Sequence, residues 1–216
     1  SFQLRLPGVN FDLSHAGKGK SHGWFFFSCY NSEQANTLLE VNASQNDKDF
    51  IMAVNWKKAE EYIKAGKGKM EKARYAHNTW DDETHTGKSV IKEEVLVLDA
   101  EEMKDVIYLM PCPKSPHGCD VDPTGEYIVG SGKLAALIPV FSYTKMLAAI
   151  DKKDFEGDYE GIPVLKYNSV LHGEVQKPGL GPLHTEFDGR GNAYTTMFVS
   201  SEVVKWDIKT LKILDR

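Results

Sequence analysis

The chain is 216 residues long, 41% hydrophobic and 26% charged, enough to bury a real core as one domain or part of a larger one. Its 26 Lys and Arg against 31 Asp and Glu leave a formal charge of −5, so there is no basic footprint for nucleic acid. No run approaches membrane-spanning length; the most apolar stretch, GWFFFSCY from Gly23 to Tyr30, is only strand-long.

The chain opens at SFQLRLPGVNFDLS with neither Met nor a signal-peptide pattern and stops in WDIKTLKILDR. Residues 1–216 are therefore read as an internal fragment of a longer protein. Strands are predicted at Trp24–Tyr30 and Phe50–Asn55. NWKKAEEYIKAGKGK follows as a helix with Trp56, Ala59, Tyr62 and Ile63 on one face and glycines at its end. Further strands are predicted at Glu94–Asp99, Val106–Met110, Gly118–Val121, Tyr127–Ser131 and Ala136–Phe141. SYTKMLAAIDKKD reads as a second helix capped by Ser142, before strands at Val164–Tyr167, Thr185–Phe187, Ala193–Val199 and Val203–Asp207. Both helices lie between strands and read as excursions from a sheet.

Two stretches repeat a pattern. In KSPHGCDVDPTGEYIVGSGK, His117 precedes Tyr127 by ten residues; in GPLHTEFDGRGNAYTTMFVSSEVVKWD, His184 precedes Tyr194 by ten. An Asp/Gly turn lies between each pair, DPTG at Asp122–Gly125 and DGRG at Asp188–Gly191. The expectation is that both histidines hold one address in two copies of one unit. Short strands with Gly-rich turns at this spacing fit part of a β-propeller, about three to four blades, better than a sandwich. The fold class is thus all-β with short helical excursions. The first strand of a blade is innermost, so His117 and His184 are expected to point toward one axis.

Imidazoles converging on an axis can bind copper, zinc, iron or nickel. On the residues alone, hydrogen-bonded structural histidines compete with that reading, and the metal stays unnamed. At the end of the first apolar strand, Tyr30, Asn31 and Glu33 in CYNSE lie within a loop's reach of NDKD at Asn46–Asp49, an oxygen-rich set that suits calcium or an ordinary strand exit. Cys29, Cys112 and Cys119 form no CxxC pair, which argues against a thiolate zinc site; a Cys112–Cys119 disulfide stays open. HTGKS at His85–Ser89 lacks the upstream glycine of a phosphate loop, and neither GxSxG nor HExxH is present.

On FFFSCYNSE, SPHG, GKL and above all GLGPLHTEFDGRGNAYTTMFVSSEVVKWD, the sequence resembles nitrous-oxide reductase, over most of the chain from Gly23 onward. Residues from Lys57 to Glu94 match loosely and read as a variable insertion. The resemblance implies the N-terminal domain of that enzyme, a seven-bladed propeller, with a C-terminal cupredoxin domain absent from this chain. It implies a tetranuclear copper–sulfide cluster held by seven histidines, of which the PHG and GPLH histidines are His117 and His184. The dinuclear copper site would lie outside this chain. His22, His77, His85 and His172 match no ligand position.

The family also binds calcium. Its Tyr and Glu ligands match Tyr30 and Glu33, and its aspartate matches Asp49. Its methionine ligand falls at Val41, where a main-chain carbonyl could serve, and its asparagine at Ser115. The implied reaction is reduction of nitrous oxide to dinitrogen and water in the periplasm, with electrons from a cytochrome or cupredoxin and a head-to-tail homodimer completing the site. The fragment alone is expected to be inactive. The alternative is a non-catalytic propeller that binds a partner or small ligand at its mouth.

Overall fold

Alternating burial decides how the strands stack. The computed structural model describes residues 2–6, 10–30, 48–72, 77–81, 86–90, 94–103 and 105–216. A three-stranded sheet joins β1 (Phe2–Arg5), β5 (Lys69–Lys72) and β8 (Glu94–Asp99), and β6 (His77–Asp81) pairs with β7 (Thr86–Val90). A six-stranded sheet begins with β2 (Asn10–Ala16), β3 (Trp24–Tyr30), β4 (Lys48–Asn55) and β9 (Ile107–Pro113), side by side and antiparallel. Beyond β9 it is extended by the hairpin of β13 (Phe155–Tyr159) and β14 (Ile162–Leu165), with β14 parallel to β9.

Two further sheets are four-stranded and antiparallel. One runs β10 (Pro116–Val121), β11 (Tyr127–Gly132), β12 (Leu137–Ser142) and β15 (Leu171–Gln176). The other runs β16 (Pro182–Phe187), β17 (Asn192–Met197), β18 (Glu202–Asp207) and β19 (Ile213–Asp215). The chain is therefore mostly β.

The sheets pack face to face. Along β4, Ile51 and Ala53 face a core shared with Cys119, Val121, Ile128 and Phe141 of the β10 sheet. Met52 and Val54 face the opposite core, with Leu98 and Met103. In β11 the same alternation sends Ile128 to one side and Val129 to the other, where it meets Ala193, Val204 and Trp206 of the β16 sheet. A strand buried on both faces reads as a near-continuous apolar run, which is why FIMAV and IYLM lack a polar period.

Among the described residues, three α-helices interrupt the strands: α1 (Trp56–Lys64), α2 (Tyr143–Asp151) and α3 (Tyr167–Val170). Asn55 caps α1 by accepting the Lys58 N–H, and Ser142 caps α2 by accepting that of Lys145, as expected for Ser142. The strand predicted at Val164–Tyr167 is shifted: β14 ends at Leu165, and Tyr167 opens α3. The strand predicted to Val199 ends at Met197, with Phe198 and Val199 in a turn whose amides donate to Gly181 and Leu180. β1, β2, β5, β6, β7, β13, β15 and β19 are not among the predicted strands: polar residues or glycines interrupt the first seven, and β19 is only three residues long. All three cysteines are free and buried, so the Cys112–Cys119 disulfide left open by the sequence is not formed. Burial pushes the Cys119 thiol up to about 12, with the Asp120 charge adding to it, so this thiol is inert.

Candidate functional site

The site lies where the first strands of three sheets meet. β10 packs against β2 and β3 on one side and against β16 on the other. Each first strand is broken by a β-bulge near its start: between Phe11 and Ser14 in β2, Pro116 and Gly118 in β10, and Pro182 and Thr185 in β16. A bulge inserts an unpaired residue and re-aims its side chain. Asp12, His117 and His184 all lie inside these bulges.

His117 and His184 meet edge to face, with ring centroids 5.1 Å apart and planes inclined at 68°. The expectation that they converge is met in position, but its reason needs correction. Asp122 pairs with Tyr127 across its turn, whereas Asp188 pairs with Asn192, so the second loop is one residue shorter. His117 stands five residues before its turn aspartate and His184 four. Both differences shorten the second copy, so the counterpart of Tyr127 is Asn192, eight residues after His184, and Tyr194 lies two residues beyond it. The shared ten-residue spacing is a coincidence, and what the histidines share is the bulge.

The surroundings orient both rings. Nδ1 of His117 lies 2.5 Å from Oδ2 of Asp12 on β2. With Nδ1–H donated to that carboxylate, Nε2 carries the free lone pair. Ser28 on β3 braces both bulges, donating its hydroxyl to the His117 carbonyl at 2.8 Å and accepting the Leu13 N–H at 3.1 Å. The His184 amide donates to Thr196 Oγ1 at 3.3 Å. Asp120, on β10, accepts the Thr185 N–H at 2.6 Å through Oδ2. Its Oδ1 lies 3.6 Å from His15 Nδ1 and 3.7 Å from His184 Nδ1. His15 Nδ1 in turn receives the Val121 N–H at 3.3 Å. One carboxylate thus stands between imidazoles from two neighbouring sheets.

Asp12, His15, Ser28 and Asp120 escaped the sequence reading. The alternation of Phe11 and Leu13 with polar residues was the available signal for β2. His172 packs against Tyr127 with ring centroids 4.8 Å apart and planes tilted by 57°, and its Nε2 faces the Lys209 carbonyl at 3.0 Å, a contact that ties β15 to the β16 sheet.

Of the residues singled out for calcium, Asp49 and Ser115 come together: buried Asp49 accepts the Ser115 N–H at 2.9 Å through Oδ2. Ser115 is buried with φ 56°, a left-handed turn that aims its amide inward. Cys29 pairs with Phe50, so Tyr30 and Asp49 are the next positions on adjacent strands. Glu33 and Val41 lie outside the described residues, as do His85 and the His77 side chain. Among the described residues, no three His, Cys, Asp or Glu side chains gather tightly enough to hold a metal ion.

No family model matches the chain. A nitrous-oxide reductase of Stutzerimonas stutzeri is 36% identical to it over 213 residues, which is 97% of this chain. The nitrous-oxide reductase of Pseudomonas fluorescens is 34% identical over 212 residues, 96% of the chain. That of Ralstonia nicotianae is 42% identical over 96 residues, 44% of the chain. This chain is homologous to the nitrous-oxide reductases. It spans 28% of the length of the first two. No helix among the described residues is long and apolar enough to cross a membrane.

Proposed function

We propose that the chain is part of the propeller domain of a periplasmic, homodimeric nitrous-oxide reductase, with His117 and His184 as ligands of its copper–sulfide centre. The observation that carries this reading is the imidazole pair at 5.1 Å, on bulged first strands of adjacent sheets, with His117 oriented by Asp12. The packing of three sheets through their first strands supports the propeller.

The residues present fit copper. Imidazole is a good copper ligand, and a carboxylate at Nδ1 fixes the tautomer that offers Nε2 and raises its basicity. When bound, the copper–sulfide centre supplies the two electrons that, with two protons, convert nitrous oxide to dinitrogen and water. The protein's part is position and electrostatics. Asp12 holds the His117 ring, Ser28 fixes its backbone, and Thr196 fixes that of His184. Because the ligands stand on bulges within paired strands, their spacing is set by sheet packing rather than by mobile loops. Five further histidines and the dinuclear copper site would come from segments beyond this chain, and electrons from a cytochrome or cupredoxin.

Calcium is the second metal of this reading. Asp49 and the Ser115 turn would contribute oxygen atoms beside Tyr30, with Glu33 and the Val41 carbonyl completing the set. A hard cation there would tie the ends of β3 and β4 to the segment that carries His117.

The test is replacement of His117 and of His184 by Ala in the full-length enzyme. Each variant is expected to lose most bound copper and all nitrous-oxide reduction while keeping the wild-type circular dichroism spectrum. The side-chain exposures, 27% for His117 and 47% for His184, mean little core is lost. Full copper loading with normal turnover in either variant would rule the ligand role out.

A further inference from the structure

We propose that Asp120 is the positioning residue for His184, and that it acts by docking the bulge of β16 onto β10. This inference rests on the copper reading above. Asp120 is not itself placed among the ligands.

Three observations carry it. The carboxylate belongs to β10, yet its shortest hydrogen bond crosses to the next sheet, to the Thr185 N–H at 2.6 Å. Thr185 is the residue immediately after His184, so this contact fixes the exit of the bulge that aims the ring. Among the described residues, the other side-chain hydrogen bonds to the His184 backbone are those of Thr196 Oγ1 with its amide at 3.3 Å and its carbonyl at 3.4 Å, both longer and within the β16 sheet itself. Of these hydrogen bonds, the one to Asp120 refers the position of His184 to the strand that bears His117.

The second oxygen of the carboxylate faces His184 Nδ1 at 3.7 Å and His15 Nδ1 at 3.6 Å. A negative group on that side favours a proton at His184 Nδ1 and leaves Nε2 as the donor nitrogen. His15 offers its Nδ1 lone pair to the Val121 N–H at 3.3 Å, so in its neutral form it carries its proton on Nε2. Asp120 is mostly shielded, with its side chain 13% exposed, so water does not readily take over its contact with the Thr185 amide.

The experiment compares Asp120→Ala and Asp120→Asn with wild type in the full-length enzyme. Copper affinity is read by chelator competition, and the copper centre by its visible absorption and electron paramagnetic resonance. Asp120→Ala removes the anchor and is expected to weaken copper retention by about 10- to 100-fold, the usual effect of losing a partner that orients a ligand. It should also change the spectrum of the copper that remains. Asp120→Asn keeps an oxygen for the Thr185 N–H and is expected to restore affinity to within about threefold of wild type, since the docking contact survives. An Asp120→Ala enzyme with wild-type affinity and spectrum would overturn the inference. So would an Asp120→Asn enzyme as defective as Asp120→Ala, because the docking contact would then not be what matters. If Asp120→Ala fails to fold, Asp120→Ser, too short to reach the Thr185 N–H, takes its place with the same expected and overturning results. Copper loss in His184→Ala with none in Asp120→Ala would leave the ligand reading standing and remove only this one. Wild-type enzyme without copper would remove both.

Discussion

Thr195 is buried one strand away from His184 and joins two polar groups that have no water to turn to. Its hydroxyl accepts the Trp206 indole N–H at 2.9 Å and pairs with Thr185 Oγ1 at 2.7 Å. Thr195 and Trp206 are fully buried and Thr185 is 2% exposed. Thr195→Val keeps the shape and removes the oxygen, which leaves the indole N–H without an acceptor. The expected loss is about 1–3 kcal/mol. It is read as a lower urea midpoint with unchanged slope in the full-length protein; an unchanged midpoint would mean the relay contributes nothing. At this scale the sequence was half readable. His117 and His184 were visible because each precedes an Asp/Gly turn in a recognisable string. Asp12 was not, since it meets His117 across 105 residues of sequence and no local pattern encodes which first strands lie side by side.

Hairpin turns and helix ends use carboxylates in one repeated way. Asp122 accepts the Thr124 and Tyr127 N–H groups, Asp188 those of Arg190 and Asn192, and Asp207 those of Lys209 and Thr210. The side-chain hydrogen bond from Asn192 holds Asp188 below the ordinary carboxylate range, and the backbone hydrogen bond from Thr210 does the same for Asp207. Glu126 extends the device between elements. It receives Ser142 Oγ and Thr144 Oγ1 at the start of α2, each at 2.7 Å, and Lys20 Nζ at 3.0 Å from the β2–β3 connection. Burial pushes its carboxyl up, but these hydrogen bonds outweigh that and bring it from 4.5 down to about 2.

A carboxyl depressed in the folded state stabilises above its unfolded pKa and loses that contribution as pH falls through the folded one. Glu126→Gln should therefore unfold at a lower temperature than wild type at pH 7. The gap should narrow as pH falls from about 4.5 to 2, where wild-type Glu126 becomes protonated. Melting curves across that range check it, and a gap that does not change with pH would show that charge plays no part. The DPTG and DGRG turns and the Ser142 cap were readable because their chemistry is local. The β13–β14 hairpin was not. It departs from the β10 sheet after α2 and joins the edge of the six-stranded sheet at β9, a pairing that depends on tertiary packing.

At the scale of the whole molecule, the spacing of the two imidazoles is a property of how closely the sheets approach, and glycine sets that approach. A Cβ on Gly118 would lie 2.0 Å from the Leu183 carbonyl oxygen, on the strand that carries His184. A Cβ on Gly125 would lie 1.8 Å from the Lys18 carbonyl, and its φ of 73° is one that L residues rarely adopt. The first contact joins the β10 and β16 sheets, and the second joins the β10 sheet to the β2–β3 connection. In both cases the obstructing atom is backbone, so no side-chain rotation relieves the clash.

The glycine that follows His117 thus has a physical reason: it lets the neighbouring sheet close over the bulge. Gly118→Ala must push β16 away from β10, and with it the Asp120–Thr185 contact and the 5.1 Å histidine pair. Overpacking of this kind costs about 1–3 kcal/mol. The expected outcome is a full-length enzyme with a lower melting temperature and weakened copper retention, although no proposed ligand has been altered. Gly66→Ala is the control, since a Cβ there meets nothing within 4 Å; its φ of 78° still disfavours Ala, so it reports backbone strain without the clash. Gly66→Ala should lose some stability and keep its copper. If Gly118→Ala also kept full copper, the spacing of the pair would not depend on sheet packing, and the histidines would have to be held by their own bulges alone.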